Sequence, residues 1–370
     1  MTIGIVGGGQ LGRMLALAGY PLGLDFLFLD RSADAPAARL APLLAGDMDD
    51  PALLGELARR SEVVSFDWEN VSVHALAAAA RTARSTRIAP PLRALAAAQD
   101  RLSEKRTFER LGIATTRFAN VESRAALERA VRRIGLPGVL KTRRLGYDGK
   151  GQFVLRAAED IDTAWQRLGT APLLYEEFVP FDYEVSIIGA RSRDGSIVIY
   201  PLNRNYHSDG ILRLTIAPWS VPGLARAAAR SLTRVLEAFR YVGVLTIEFF
   251  VHRGRLLANE MAPRVHNSGH WTIEGALTSQ FENHLRAIVG LPLGLTAARG
   301  HAAMINLIGT LPPVRSWLAE PGLHWHDYDK HARHGRKVGH CTVVEASASR
   351  RDRRARSLLA RLYPHLSPRP

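Results

Sequence analysis

Residues 2–14 read TIGIVGGGQLGRM: a short apolar run meets Gly7, Gly9 and Gly12 at the G-x-G-x-x-G spacing of a strand-to-helix turn. Glycines so placed predict a tight turn whose N–H groups stand free at a helix N-terminus. A second apolar run, LDFLFLD, ends on Asp30, about 20 residues on, where a dinucleotide-binding fold carries the acid that grips a ribose. Taken alone, these features suit a nicotinamide dehydrogenase, although Gln10 stands where a dinucleotide needs room and Asp30 can equally be the mere end of a strand.

The following residues decide how far that reading extends. EVVSFD and STRIAP read as further strands, LGRMLALAGY and DPALLGELARR as helices, and this alternation predicts a doubly wound-like α/β domain with a parallel sheet. Pro90-Pro91 punctuates its end. From Leu92 the character changes. A long helical stretch, LRALAAAQDRLSEKRTFERLG, leads into strand-like GVLKTRR, GQFVLRA, PLLYEEFV, YEVSIIGAR, SIVIYPL, VLTIEFFV and RLLANEMA. Residues 193–195 and 252–254 suit hairpin turns, and helices fall around 123–135, 160–168 and 223–240. This is α+β with antiparallel sheets, not a second doubly wound half. A smaller mixed unit follows AIVGLPLG. The expected domains are 1–91, 92–293 and 294–370, in keeping with a length of 370 residues.

Composition narrows the class. One cysteine, Cys341, excludes an intrachain disulfide and suits a reducing cytoplasm. A secretory leader pattern and an apolar run long enough to span a bilayer are both lacking, so the expectation is a cytoplasmic chain with no membrane partner. The net charge of +14 raises nucleic acid as a partner, but the arginines are scattered along amphipathic helices and none of the common nucleic-acid motifs is present. A basic cleft for small anions is the simpler reading.

Several constellations point to that cleft. Lys141 on a strand runs into a loop with Gly146, Gly149 and Gly151, a phosphate cradle or only a glycine-rich turn. Residues 176–179 form an extended segment suited to lie along an adenine, with Glu184 next to grip ribose hydroxyls; solvation of an edge strand is the competing reading. Glu248 and Glu260 sit among apolar residues on strands that a hairpin joins, with Asn259 beside the second. Buried carboxylates are costly unless they meet a cation; facing one cleft, two of them suit Mg²⁺ on nucleotide phosphates, whereas pairing with arginines is the structural alternative. Arg264, His266, Asn267 and Ser268 can serve a sugar, phosphate or carboxylate, and Lys330, Arg336 and Lys337 suit a phosphate monoester. The histidines of HWHDYDKHARH match no familiar zinc spacing.

In order along the chain, GGGQLGRM, DWENV, LKTRRLGYDGKGQ, NYHSDGILR, NEMAPRVHNSGHWT and GRKVGH together resemble the 5-(carboxyamino)imidazole ribonucleotide synthetases of purine biosynthesis, which are ATP-grasp ligases. The resemblance runs from residue 3 to about 345. It implies a pre-ATP-grasp domain, an ATP-grasp domain and a small C-terminal domain, a homodimer, and carboxylation of 5-aminoimidazole ribonucleotide with ATP and bicarbonate, through carboxyphosphate. By motif, it implies that Arg101, Lys141 and the loop Gly146, Tyr147, Asp148, Gly149, Lys150, Gly151 and Gln152 meet ATP phosphates. Glu176, Glu177, Phe178 and Val179 would line the adenine, with Glu184 at the ribose and His207 nearby. Glu248 and Glu260 would hold Mg²⁺ (Mn²⁺ serving equally), with Asn259 adjacent. The ribonucleotide would meet Gly9, Gln10, Leu11, Glu69, Tyr147, Asp148, Lys150, Arg264, His266, Asn267 and Ser268, and its phosphate Lys330, Arg336 and Lys337. Asp148, with His266 and Lys330, would form the catalytic set, Asp148 taking the amine proton. Two departures stand out. Leu145 replaces an expected glycine, and Asp67-Trp68 replaces a smaller pair. The formate-dependent phosphoribosylglycinamide transformylase shares the architecture and stays the alternative, with an NAD-binding oxidoreductase as a remote one.

Overall fold

The computed structural model describes residues 1–83, 86–146 and 151–364. The early alternation builds β1 (Thr2–Val6), β2 (Asp25–Asp30), β3 (Leu43–Ala45), β4 (Val63–Phe66) and β5 (Arg87–Ile88), parallel and ordered β3-β2-β1-β4-β5 among the described residues. Helices α1 (Gln10–Gly19), α2 (Pro51–Arg59) and α3 (Val73–Thr82) make connections in this domain. β3 and α3 escape sequence reading because three residues show no alternation and an alanine run shows no apolar face. The long helical stretch from Leu92 is two helices, α4 (Leu92–Ala98) and α5 (Arg101–Arg110). Asp100 breaks it: its carboxylate accepts the N–H groups of Leu102 and Ser103 at 3.0 and 3.4 Å, and so starts a new helix.

Antiparallel pairing then takes over. β6 (Phe118–Val121), β7 (Gly138–Thr142), β8 (Gln152–Leu155) and β9 (Leu173–Glu177) form a small sheet ordered β6-β9-β7-β8, packed on α6 (Arg124–Ile134) and α7 (Asp160–Leu168). A large sheet gathers β10 (Tyr183–Arg191), β11 (Ile197–Ile199), β12 (Asn203–Ser208), β13 (Ile211–Ala217), β14 (Gly243–His252), β15 (Arg255–Ala262), β16 (His301–Ile308), β17 (Leu323–Asp327) and β18 (Lys337–Glu345). Its main order is β15-β14-β10-β12-β13-β16-β18-β17, with β11 on β10. The C-terminal strands therefore extend the central sheet through β13 and β16 instead of making one of their own. Helices α8 (Pro222–Ala238), α9 (Thr272–Gly275), α10 (Gln280–Val289), α11 (Val314–Leu318) and α12 (Ala348–Leu362) accompany it.

One core joins the units: Ile3, Phe26 and Phe28 of the parallel sheet pack in the same cluster as Ile188, Val244, Phe281 and Met304. Buried His284 on α10 adds a polar joint. Its Nδ1 accepts the Val244 N–H at 3.1 Å and its Nε2 lies 3.1 Å from Ser65 Oγ on β4.

Candidate active site

The two acids that alternation places on β14 and β15 are direct cross-strand partners, so their side chains share one face of the sheet. A bulge beside this pair leaves Asn259 outside the ladder. Among the described residues, Asn259 Oδ1 is buried without a partner. Arg101, the first residue of α5, reaches Glu260 Oε2 at 3.5 Å. Glu248 Oε1 lies 3.4 Å from Ser186 Oγ and 3.9 Å from His266 Nδ1. Burial, with the charges of Glu260 and Glu184, pushes the Glu248 carboxyl above the usual carboxylate range against the pull of His207. Glu104, one turn after Arg101, is pushed up to about 8 by burial and by Glu260. Among the described residues no three-ligand cage converges, but two opposed carboxylates beside an orphaned amide oxygen fit a hard divalent cation that takes its other oxygens from phosphates and water. One cavity is lined by Glu69, Arg101, Glu104, Gly146, Glu260, Arg264 and His266.

On the small-sheet side, Lys141 Nζ lies 3.2 Å from Glu176 Oε2, and Lys105 Nζ lies 3.4 Å from the same oxygen. Burial works to raise the Glu176 carboxyl, but Lys105, Lys141 and Arg101 overcome it and hold it at about 2. Its side chain is thus committed to lysines. Glu177 turns outward to Arg117 at 2.9 Å. In the same segment Phe178 is half-buried and Val179 buried. Glu184 on β10 and His207 on β12 meet at 2.7 Å. Although burial opposes it, this contact holds His207 above its usual range.

The glycine turn is occupied by the protein's own carboxylates. Asp30 Oδ2 accepts the Gly8 N–H at 2.7 Å and Asp67 Oδ2 accepts the Gly12 N–H at 3.0 Å. The expectation of Asp30 as a mere strand end is therefore corrected, and two of the turn's N–H groups are already taken: the positive end of α1 attracts carboxylates, and β2 and the residue that follows β4 carry two within reach. Gly7 has φ +103°, and a Cβ there would lie 1.6 Å from Asp67 Oδ1. Gly7→Ala is accordingly expected to cost about 2–4 kcal/mol, from the strained φ and the displaced carboxylate. Denaturant midpoints check this, and a loss below about 1 kcal/mol would refute the packing described. Above the turn, Gln10 Oε1 accepts a hydrogen bond from Lys330 Nζ. Arg264 pairs with Glu69 at 2.9 Å. Burial and the neighbouring Arg336, Lys337 and Arg333 push Lys330 down to about 8, with Asp67 opposing them; a group of cations this crowded suits an arriving anion. Among the described residues both amide atoms of Asn267 are buried without partners.

Three family models match the chain in order: a ribonucleotide synthetase preATP-grasp domain over residues 1–99, an ATP-grasp domain over 106–281, and a phosphoribosylaminoimidazole carboxylase C-terminal domain over 302–354. An N5-carboxyaminoimidazole ribonucleotide synthase of Pseudomonas aeruginosa is 51% identical over 343 residues, 93% of this chain and 94% of that protein. This chain belongs to that family. Its fold matches the crystal structure of the N5-carboxyaminoimidazole ribonucleotide synthetase of Thermus thermophilus with TM-score 0.93 and 49% identity, over 98% of this chain and 99% of that one. The Aspergillus clavatus synthase, solved with ADP and 5-aminoimidazole ribonucleotide, matches with TM-score 0.88 and 28% identity over 97% of both chains. The chain is thus an ATP-dependent ligase of the ATP-grasp type, with a nucleotide-binding cleft.

Of the expected residues, Glu69, Arg101, Gly146, Glu260, Arg264 and His266 line one cavity, and several others are placed elsewhere. Leu11 points into the core at 7% exposure, because the second position of α1 faces the sheet; only its backbone borders the turn. Ser268 is fully buried, its Oγ 2.8 Å from His266 Nδ1, and it supports the loop instead of facing the cleft. Gln152 opposes Lys141 on β8. Arg336 donates to the His331 carbonyl at 3.2 Å. Tyr147, Asp148, Gly149 and Lys150 lie outside the described residues. Leu145, at the position where the resemblance led to the expectation of a glycine, sits at φ +63° and is exposed. Sequence reading missed Glu104, Lys105 and Asp67. Helical spacing does place Glu104 one turn from Arg101, but the burial of all three depends on contacts distant in sequence.

Proposed function

We propose that this chain carboxylates the amino group of 5-aminoimidazole ribonucleotide at the expense of ATP and bicarbonate, giving 5-(carboxyamino)imidazole ribonucleotide in purine biosynthesis. The observation that carries it is the cross-strand pair Glu248 and Glu260, set with Arg101 on one side and the Arg264–His266 loop on the other. An acid pair for a metal–nucleotide thus borders a cationic pocket for a second, anionic substrate.

In this reading Arg101, Lys141 and the 146–152 loop grip the ATP phosphates, residues 176–179 line the adenine, and Glu184 with His207 meets the ribose. Glu248 and Glu260, with Asn259 adjacent, hold Mg²⁺ or Mn²⁺. Held there, the ion would supply positive charge against the charge developing on the transferred group. Bicarbonate attacks the γ-phosphorus and ADP leaves, giving carboxyphosphate. Its C–O bond then breaks to phosphate and CO₂ in a cleft closed to water. The amine nitrogen forms the new N–C bond and releases one proton, which Asp148 accepts. Gln10, Glu69, Tyr147, Lys150, Arg264, His266 and Asn267 hold the aminoimidazole and ribose, and Lys330, Arg336 and Lys337 the phosphate. With both substrates fixed side by side, positioning supplies much of the rate. A cytoplasmic homodimer is part of the same reading.

ADP release measured with 5-aminoimidazole ribonucleotide, with and without bicarbonate, tests it. Release that requires both is expected. Release with glycinamide ribonucleotide and formate instead would select the transformylase, and the absence of ribonucleotide-dependent release would end the proposal.

A further inference from the structure

In the reading proposed above, the ribonucleotide side of the cleft comes from two stretches distant in sequence: the loop 264–268 after β15, and the segment 328–337 that runs from the end of β17 into β18. One small ligand held by both requires that they keep a fixed separation. A chain of buried polar side chains lies between them. Gln280, at the start of α10, accepts the His266 N–H at 3.0 Å and donates to the His266 carbonyl at 2.7 Å. One side chain thereby holds both backbone groups of that residue. The same amide nitrogen lies 3.3 Å from His270 Nδ1. Gly269 permits the approach, since a Cβ there would stand 2.5 Å from Gln280 Oε1.

Beyond His270 the chain continues. Its ring lies 5.1 Å from that of His340, and His340 Nδ1 is hydrogen-bonded to the Tyr328 hydroxyl at 2.7 Å, two residues before Lys330. His270 also meets Tyr328 edge-on at 6.2 Å. Gln280, His270 and His340 are 0% exposed and Tyr328 1%. Burial holds both imidazoles well below their usual range, and so neutral. Apolar side chains would fill this volume without desolvating four polar groups. What this chain adds, hydrogen-bonded at its Gln280 and Tyr328 ends and joined in the middle by the packed rings of His270 and His340, is a set distance and orientation between its ends.

We propose that Gln280, His270, His340 and Tyr328 form a positioning spine that sets the separation between the His266–Asn267 loop and the Lys330 segment, and so governs ribonucleotide affinity without touching the ligand. The spine rests on the ribonucleotide reading above. It predicts that damage at either end weakens ribonucleotide binding and leaves the ATP side unaffected.

Steady-state kinetics of the full chain test it. Tyr328→Phe keeps the ring and removes only the hydroxyl bond to His340. It is expected to raise the ribonucleotide KM about five- to tenfold, with kcat and the ATP KM within about twofold. Gln280→Leu is expected to raise the ribonucleotide KM at least about tenfold. Together the two changes should multiply to less than the product of their separate effects, because both break one chain. An unmoved ribonucleotide KM in Tyr328→Phe, an equal rise in the ATP KM, or a fully multiplicative double variant overturns the spine. If Gln280→Leu does not fold, His270→Asn completes the same cycle with Tyr328→Phe. A wild-type chain without ribonucleotide-dependent ADP release overturns function and spine together; normal wild-type turnover with unmoved variants overturns the spine alone.

Discussion

Glu260→Gln is expected to lower ADP release on the order of 10³-fold or more while leaving the fold intact. Glutamine keeps the volume and the place on β15, but brings no negative charge to the face that Glu248 shares. Among the described residues it breaks one ion pair, with Arg101 at 3.5 Å, and the Glu260 side chain is 42% exposed, so stability depends little on it. The same change also removes one of the charges that push Glu248 and Glu104 upward, which offsets part of the lost pairing. Initial rates at saturating substrates and thermal melting in parallel check both halves. Turnover within about tenfold of wild type would refute the metal role, and a collapse of the melting transition would mean that the acid holds the hairpin together.

Lys105→Met is expected to destabilise the fold by about 3 kcal/mol near neutral pH. Lys105 is 1% exposed, donates to Thr115 Oγ1, Thr116 Oγ1 and the Ala258 carbonyl at 3.0–3.2 Å, and lies 3.4 Å from Glu176 Oε2. Methionine fills the stem but leaves the Glu176 carboxylate buried with Lys141 as its remaining close cation. The sign of the pH dependence follows from Glu176. Burial works against its charge, yet the cations hold it at about 2 in the folded chain, against an ordinary 4.5. A carboxyl lowered on folding contributes stability that is present above pH 4.5 and lost as pH falls toward 2. For Glu176 this amounts to about 3 kcal/mol. Removal of Lys105 weakens that hold, so the gap between wild type and variant should be widest at neutral pH and narrow below about pH 4. Urea midpoints from pH 7 to pH 3 check it. A constant gap, or one below about 1 kcal/mol, would refute the pairing.

How much of this was legible beforehand follows from the range of each interaction. Alternation over five to nine residues is local, and the runs read as strands in the first ninety residues and after Leu92 are strands. So is the cross-strand meeting of Glu248 and Glu260, because a two-residue turn at Arg253-Gly254 leaves little freedom of register. The match of the family models and the relatives to the motif order has the same basis: loops that bind charged ligands carry their chemistry in short contiguous stretches. What escaped is long-range. The partners of the glycine turn, Asp30 and Asp67, come from β2 and from the residue that follows β4; Lys105 is buried by Thr116, Glu176 and Ala258; Gln280 finds His266 across the start of a helix.

The amino-acid sequence by itself determined the classes of element, the change from parallel to antiparallel architecture near residue 91, and the residue types that an ATP-dependent ligase needs. Backbone periodicity and turn chemistry act within a few residues, and are written in order along the chain. Only the tertiary structure decided which of those residues face the cleft. It turned Leu11 and Ser268 inward, committed Glu176 to Lys105 and Lys141, and filled the dinucleotide-like turn with Asp67. Each of those outcomes is set by burial against a neighbour distant in sequence, where desolvation forces every charge to find a partner and the partner is chosen by the packing of sheets rather than by the order of residues.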